Sequence, residues 1–95
     1  MAVGPREAKK EEKRRAEQEA EILEKIIDRK IKKAQYEEEE GMLIIKLPLG
    51  VVEMRIAEEE LKERYFKAGW KKVEINLESN QEEGRDWWVV RLYYA

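Results

Sequence analysis

Few side chains in this sequence could carry out chemistry. The chain has no histidine, cysteine or threonine, and Ser79 is its only serine, while 44% of its residues are charged. Most enzyme chemistry near neutral pH uses imidazole, thiol or activated hydroxyl groups. Ser79 lies in a polar segment without a basic partner of the usual kind. The composition therefore predicts a protein that is not an enzyme.

Carboxylates are the most abundant groups that could bind a metal or act as an acid and base. Glutamate accounts for 20 of the 22 acidic residues, and the only aspartates are Asp28 and Asp86. Consecutive glutamates at 37–40 point in different directions, and no loop-type ligand spacing accompanies them. Catalysis by two carboxylates needs a cleft, for which a chain of this size has little room. We expect no metal, no cofactor and no small-molecule substrate.

Basic residues recur at helical spacing in the first predicted helix, at Lys25, Arg29, Lys32 and Lys33. Such a stripe can follow nucleic-acid phosphates, although most charge runs are solvated helix faces. Lys72 and Arg91 lie among aromatic residues of the predicted sheet, and Trp87 and Tyr93 could stack on bases there. A nucleic-acid-binding module is therefore the alternative hypothesis.

Apolar residues favour a different reading, in which the protein binds protein. Ala20, Leu23, Ile27 and Ile31 form a seam suited to pairing with another helix. Trp87, Val89 and Tyr93 lie on one side of the last predicted strand, on a face apolar enough to need a cover, either the first helix or a second copy. The leading hypothesis is a structural or protein–protein interaction module that associates with itself.

The elements that would position these residues can be read from hydrophobic spacing and turn residues. Gly4 and Pro5 start a long helix, which we expect to end within 36–40, with Gly41 as its stop. Residues 42–47 are rich in branched apolar side chains and predict a strand. After a turn at 48–50, residues 51–56 predict the returning strand; the rival interpretation is a helix from 51 to 68.

The second half of the chain gives clearer patterns. Residues 57–68 predict a helix that Gly69 closes. Residues 70–78 alternate, with Val73, Ile75 and Leu77 on one face, and 79–86 form a polar loop. In the last strand, at 87–94, we expect Trp88, Val90 and Leu92 to face the core.

Together these elements predict an α+β fold in the order α-ββ-α-ββ, with about four antiparallel strands packed by two helices. We divide the chain into a charged helical extension at 1–21 and one compact domain at 22–95. The net charge of −2 makes the whole chain neither a basic nucleic-acid binder nor a polyanion mimic. No segment looks like a signal peptide or a membrane span, so we expect a cytoplasmic protein.

Composition also bears on origin. Excess glutamate and lysine with loss of cysteine, threonine, serine and histidine is typical of hyperthermophile proteins, and equally of computational design, so a designed scaffold without natural function is a third interpretation. The segment from 61 to 94 resembles small proteins of bacteriophages and archaeal viruses. The matching positions are Leu61, Tyr65, Ala68, Gly69, Trp70, Val73 and Ile75. The resemblance implies a viral origin in a hot host, and it implies no activity.

Overall fold

Two helices and four antiparallel strands make up the protein in a computed structural model, which describes residues 2–48, 54–80 and 84–95. The elements are α1 (Pro5–Lys32), β1 (Glu37–Glu39), β2 (Met42–Pro48), α2 (Met54–Lys67), β3 (Lys72–Asn80) and β4 (Arg85–Tyr93). The predicted α+β class, the α-ββ-α-ββ order and the four-stranded antiparallel sheet are confirmed.

The strands form one sheet in the order β1-β2-β4-β3. Two hairpins, β1–β2 and β3–β4, join through their second strands, where Ile45 lies opposite Val90. Val90 in turn lies opposite Ile75 of β3. Each helix–hairpin unit therefore places its first strand at an edge of the sheet and its second strand in the middle.

The first helix ends earlier than predicted. Ala34 adopts a left-handed conformation with φ of 55°, and its N–H donates to the Ile31 carbonyl at 3.2 Å. The N–H of Gln35 donates to the Lys30 carbonyl at 2.8 Å, which completes a Schellman motif. The predicted end within 36–40 is therefore wrong. Because alanine occupies a position where glycine is usual, the sequence carries no stop signal there.

The run of glutamates forms a strand, although it was predicted to be the last turn of the first helix. In β1, Glu37 lies opposite Ile44 and Glu39 opposite Met42. Gly41, with φ of 74°, belongs to the turn between β1 and β2 and does not stop a helix. The strand depends on pairing with the apolar β2, a non-local stabilisation that its own residue types do not indicate.

The predicted strand at 51–56 is also wrong where the structure describes it. Met54, Arg55 and Ile56 form the first turn of α2, as the rival interpretation proposed, while 51–53 lie outside the described residues. Met54 is buried on the same helix face as Ala57, with further buried residues at Leu61 and Tyr65. This spacing of three and four extends the helical pattern backwards from the predicted start.

The remaining elements agree with the sequence. Gly69, with φ of 115°, closes α2: its N–H donates to the Phe66 carbonyl, and the N–H of Trp70 donates to the Tyr65 carbonyl. The two last predicted strands are present, and both extend into the predicted polar loop. Residues 81–83 of that loop lie outside the described part of the chain.

Both helices pack on one side of the sheet, which we name the inner face. Along each strand, side chains alternate between this face and the opposite one, which we name the outer face. The inner-face residues are Leu43, Ile45, Leu47, Val73, Ile75, Leu77, Trp88, Val90 and Leu92. The core cluster joins most of these to buried residues of α1 and α2. The prediction that Trp88, Val90 and Leu92 face the core is confirmed, whereas α1 does not cover the outer face.

The N-terminal half of α1 extends away from this core. Burial along the helix begins at Ala20; before it, only Ala16 and Glu19 are half-buried among residues 5–19. The radius of gyration is 15.0 Å, against about 12 Å for a compact chain of this length. The predicted division at residue 21 falls inside an unbroken helix. Neither described helix has a long enough apolar stretch to cross a membrane.

Candidate interaction surfaces

The seam predicted for helix pairing lies in the protein's own core. Ala20, Leu23 and Ile27 are at most 2% exposed, and they belong to the same cluster as Ile45 and Leu47 of the sheet. Ile31 is half-buried against that cluster. In this fold a second chain cannot reach the three buried side chains, so these residues stabilise the monomer, and pairing of the seam with another helix stays a prediction.

Polar groups tie α1 to α2 at a junction that the sequence did not predict. The Tyr65 hydroxyl donates to Asp28 Oδ1 at 2.8 Å, and Arg64 Nη1 donates to Glu24 Oε2 at 2.9 Å. Burial raises the pKa of Tyr65, and the hydrogen bond to the Asp28 carboxylate raises it further. Asp28 therefore has a structural role. These pairs join residues 37 and 40 positions apart, which no local pattern can reveal.

The outer face has an apolar centre that its neighbours already shield. Ile44 is 6% exposed and Val89 is 3% exposed, although neither belongs to the main core cluster. Trp87 and Tyr93 are half-buried beside them. The Trp87 indole nitrogen is buried and makes no hydrogen bond in the described part of the chain. The predicted interface residues Trp87, Val89 and Tyr93 thus share one face, but little of their apolar surface is free.

The cations of the outer face are held by carboxylates. Arg91 donates two hydrogen bonds to Glu78, at 2.6 and 3.1 Å, and Lys72 Nζ lies 2.8 Å from Glu74 Oε1. The Tyr93 hydroxyl donates to the same glutamate at 3.2 Å. Arg91 lowers the pKa of Glu78, and Lys72 lowers that of Glu74, because each hydrogen-bonded cation favours the ionised acid. Little positive charge is left for phosphates.

The residues predicted to contact nucleic acid do not share a surface. Lys25, Arg29 and Lys32 are exposed on α1, which packs on the inner face, and Lys33 caps the end of that helix. Lys72 and Arg91, by contrast, lie on the outer face. Lys25 also lies 3.9 Å from Glu21. Nucleic-acid binding stays a prediction, and it would have to rely on the α1 stripe alone.

Groups with catalytic or metal-binding chemistry are dispersed. Over residues 2–48, 54–80 and 84–95, no three acidic residues lie close enough together to hold a metal ion. The Ser79 hydroxyl donates to Asp86 Oδ1 at 2.6 Å across the exposed β3–β4 hairpin. That contact joins β3 to β4 at the end of the hairpin.

The two edges of the sheet differ in length and charge. β1 has three residues, all of them exposed glutamates. β3 has nine residues and, among the described strands, pairs only with β4. Its free edge therefore presents unpaired backbone groups over a length of about 30 Å. Along its outer face β3 carries Lys72, Glu74, Asn76 and Glu78, a row of both charge signs.

Exposed apolar side chains lie beside this free edge. Leu77 on the inner face is 46% exposed, and Phe66 at the end of α2 is 64% exposed. Phe66 and Val73 line an open groove of about 520 Å³ between α2 and the start of β3, rimmed by charged side chains such as Glu63 and Lys71. The alternation placed Leu77 on the correct face. Its exposure follows from the edge position of β3, which the alternation does not encode.

Comparison of the chain with protein families, with curated proteins and with solved structures finds no match in any of the three. The resemblance to small viral proteins therefore stays a prediction, as does the rival origin by design. Function has to be inferred from the surfaces described above.

Proposed function

We propose that this protein is a non-enzymatic interaction module that associates with itself through the β3 side of its sheet. One observation carries the proposal: β3 is a nine-residue strand with a free edge, and the exposed Leu77 and Phe66 lie beside it. We prefer this surface to the α1 seam, because three of the four seam residues are buried in the core.

Physical chemistry favours a partner at this edge. A long edge strand is a template for another strand, and soluble proteins usually protect such edges with repeated lysines, prolines, bulges or a covering element. β3 has none of these along its described length apart from Lys72, and its outer-face charges are of both signs. An added strand would satisfy the backbone groups, and the neighbouring apolar side chains would leave water.

The apolar contribution can be tested by placing a charge at the edge. The variant Leu77→Lys loses the burial of this side chain in both copies of a symmetric dimer. The loss weakens the free energy of association by about 1 kcal/mol or more per copy. The dissociation constant should rise at least about 30-fold. Light scattering over a concentration series should show a wild-type dimer at about 50 μM, a modest affinity range, and a monomeric variant.

The matched control is Ile22→Lys, because Ile22 on α1 is 48% exposed and lies on another element. This variant should dimerise like the wild type. A wild-type chain that remains monomeric at this concentration would overturn the proposal. An equal loss of dimer in both variants would likewise refute the assignment of the surface to β3.

A further inference from the structure

We infer that two copies pair β3 with β3 in antiparallel fashion about a two-fold axis through Ile75, forming a continuous eight-stranded sheet. The inference rests on the proposed self-association and names its partner and its geometry. Charge complementarity along β3 selects this register, and the groove beside Phe66 supports it.

Symmetry limits the registers that are available. When identical edge strands pair antiparallel in one sheet, the two-fold axis runs perpendicular to the sheet, so both copies keep their helices on the same side. Residues opposite each other then lie on the same face of the sheet. The axis therefore passes midway between one residue of β3 and the same residue of the partner copy, and we name each axis by that residue. Each register is thus defined by the one residue of β3 that faces itself.

The register centred on Ile75 pairs every position favourably or neutrally. Lys72, which is paired with Glu74 in the monomer, lies opposite the partner's Glu78, which is paired with Arg91, so the two ion pairs meet with opposite charges facing, twice in the dimer. Val73 lies opposite the partner's Leu77, which joins two apolar side chains on the inner face. Glu74 lies opposite the partner's Asn76, so no like charges meet.

Neighbouring registers are worse. An axis through Val73 also places Lys72 opposite the partner's Glu74, but only residues 72–74 of each strand overlap. An axis through Asn76 places Glu74 opposite the partner's Glu78 twice, and an axis through Glu74 places that residue opposite itself. An axis through Leu77 creates no pair of opposite charges along the strand. It also leaves the groove between α2 and β3 empty.

The groove gives the Ile75 register a second, independent fit. Val73 lines this groove together with the exposed Phe66. Because the partner's Leu77 lies opposite Val73, it enters the groove from the edge. The two large apolar side chains that are exposed beside β3 in the monomer therefore cover one another across the interface, once on each side of the axis.

Disulfide trapping tests the register directly, since the chain contains no cysteine. Lys72→Cys and Glu78→Cys are purified separately, mixed to allow exchange and oxidised mildly. Residues directly opposite in an antiparallel pair have Cα atoms about 4.5–5.5 Å apart, within disulfide range. The mixture should form a covalent dimer, whereas each variant alone should not, because its two copies of the cysteine lie about 20 Å apart.

A mixture of Glu74→Cys with Glu78→Cys is the matched control, as it reports the register centred on Asn76. Preferential linking there would overturn the Ile75 register. A wild-type dimer whose variants link in neither mixture would mean that the dimer forms in another register or on another surface, which overturns this inference and leaves self-association intact. A monomeric wild type, measured by light scattering beforehand, would overturn both.

Discussion

The two helix–hairpin units share their connectivity but end in different edges. Each consists of a helix, a Schellman turn, an edge strand and an inner strand. One edge strand has three residues, all glutamate, and the other has nine residues with charges of both signs. Topology alone therefore does not determine whether a sheet edge is open. A short, uniformly negative strand disfavours pairing with another strand, and the longer β3, with charges of both signs, is the edge to which we assign the proposed pairing.

Contacts near β1 tie its side chains to the neighbouring strand and to the residue that follows β4. Lys46 Nζ lies 3.5 Å from Glu37 Oε1, and the Tyr94 hydroxyl donates to Glu38. The N–H of Tyr94 donates to the Gly41 carbonyl at 2.9 Å, so the end of the chain lies against the β1–β2 turn. The side-chain partners of the β3 charges likewise lie within the sheet, on β3 and β4, and among the described residues these pairs do not extend over the free edge.

The largest expected effect comes from giving β3 the charge pattern of β1. The double variant Lys72→Glu, Asn76→Glu would place glutamate at every outer-face position from 72 to 78. In the Ile75 register this creates four pairs of like charges per dimer, each costing about 0.5–1 kcal/mol. The dissociation constant should rise about 30- to 1,000-fold, as measured by analytical ultracentrifugation.

A variant with the same change in net charge separates position from total charge. Gln18→Glu, Lys25→Glu alters two exposed residues of α1, and it should weaken association by less than about threefold at physiological salt, where distant charges are screened. If both double variants weakened the dimer equally, general repulsion would explain the result and the contrast between the edges would not.

A smaller effect is expected when the acidic edge loses its charge. Glu37→Thr, Glu39→Thr leaves a strand of three residues with higher β propensity and one remaining glutamate. Weak additional association should follow, detected as a rise of average mass above the dimer at concentrations of about 100 μM or more. An unchanged mass at these concentrations would show that shortness alone protects β1.

The smallest effect on association is expected from the turns that lead into the two edges. Ala34→Gly should raise the free energy of unfolding by about 1 kcal/mol, because it removes the penalty of a left-handed alanine. Gly69→Ala should lower it by a similar amount. Urea denaturation measures both changes, and the dimer dissociation constant should stay within about twofold. A large change in association would mean that the turns also position the edges.

Local patterns predicted the second half of the chain well, for a physical reason. Gly69 marks the end of α2 with the residue type that a positive φ favours, and the alternation in the last strands assigns the correct side chains to the core. In the first half, Ala34 adopts the positive φ that ends α1 although it is not a glycine. The predicted helix therefore extended wrongly into the glutamates at 37–40. Where the residue type is the one that the backbone conformation favours, the sequence is enough to locate the end of the helix.

The candidate site was harder to predict because it depends on which strands lie at an edge. Ile27 and Leu77 both belong to apolar rows, yet one is fully buried and the other is 46% exposed. Their difference arises from the order of strands and from the packing of α1 on the inner face, both of which involve residues far apart in the chain. Local patterns therefore identify apolar and charged rows, whereas their exposure depends on the tertiary arrangement of the elements.

The long first helix has a consequence for how the molecule moves. Its 28 residues span about 42 Å, and the chain measures 51 × 34 × 19 Å. The N-terminal half of this helix projects from the core into solvent, so a single copy of 11.4 kDa diffuses and tumbles more slowly than a sphere of the same mass. A dimer joined at β3 would have two projecting helices and would sediment with a frictional ratio well above that of a sphere.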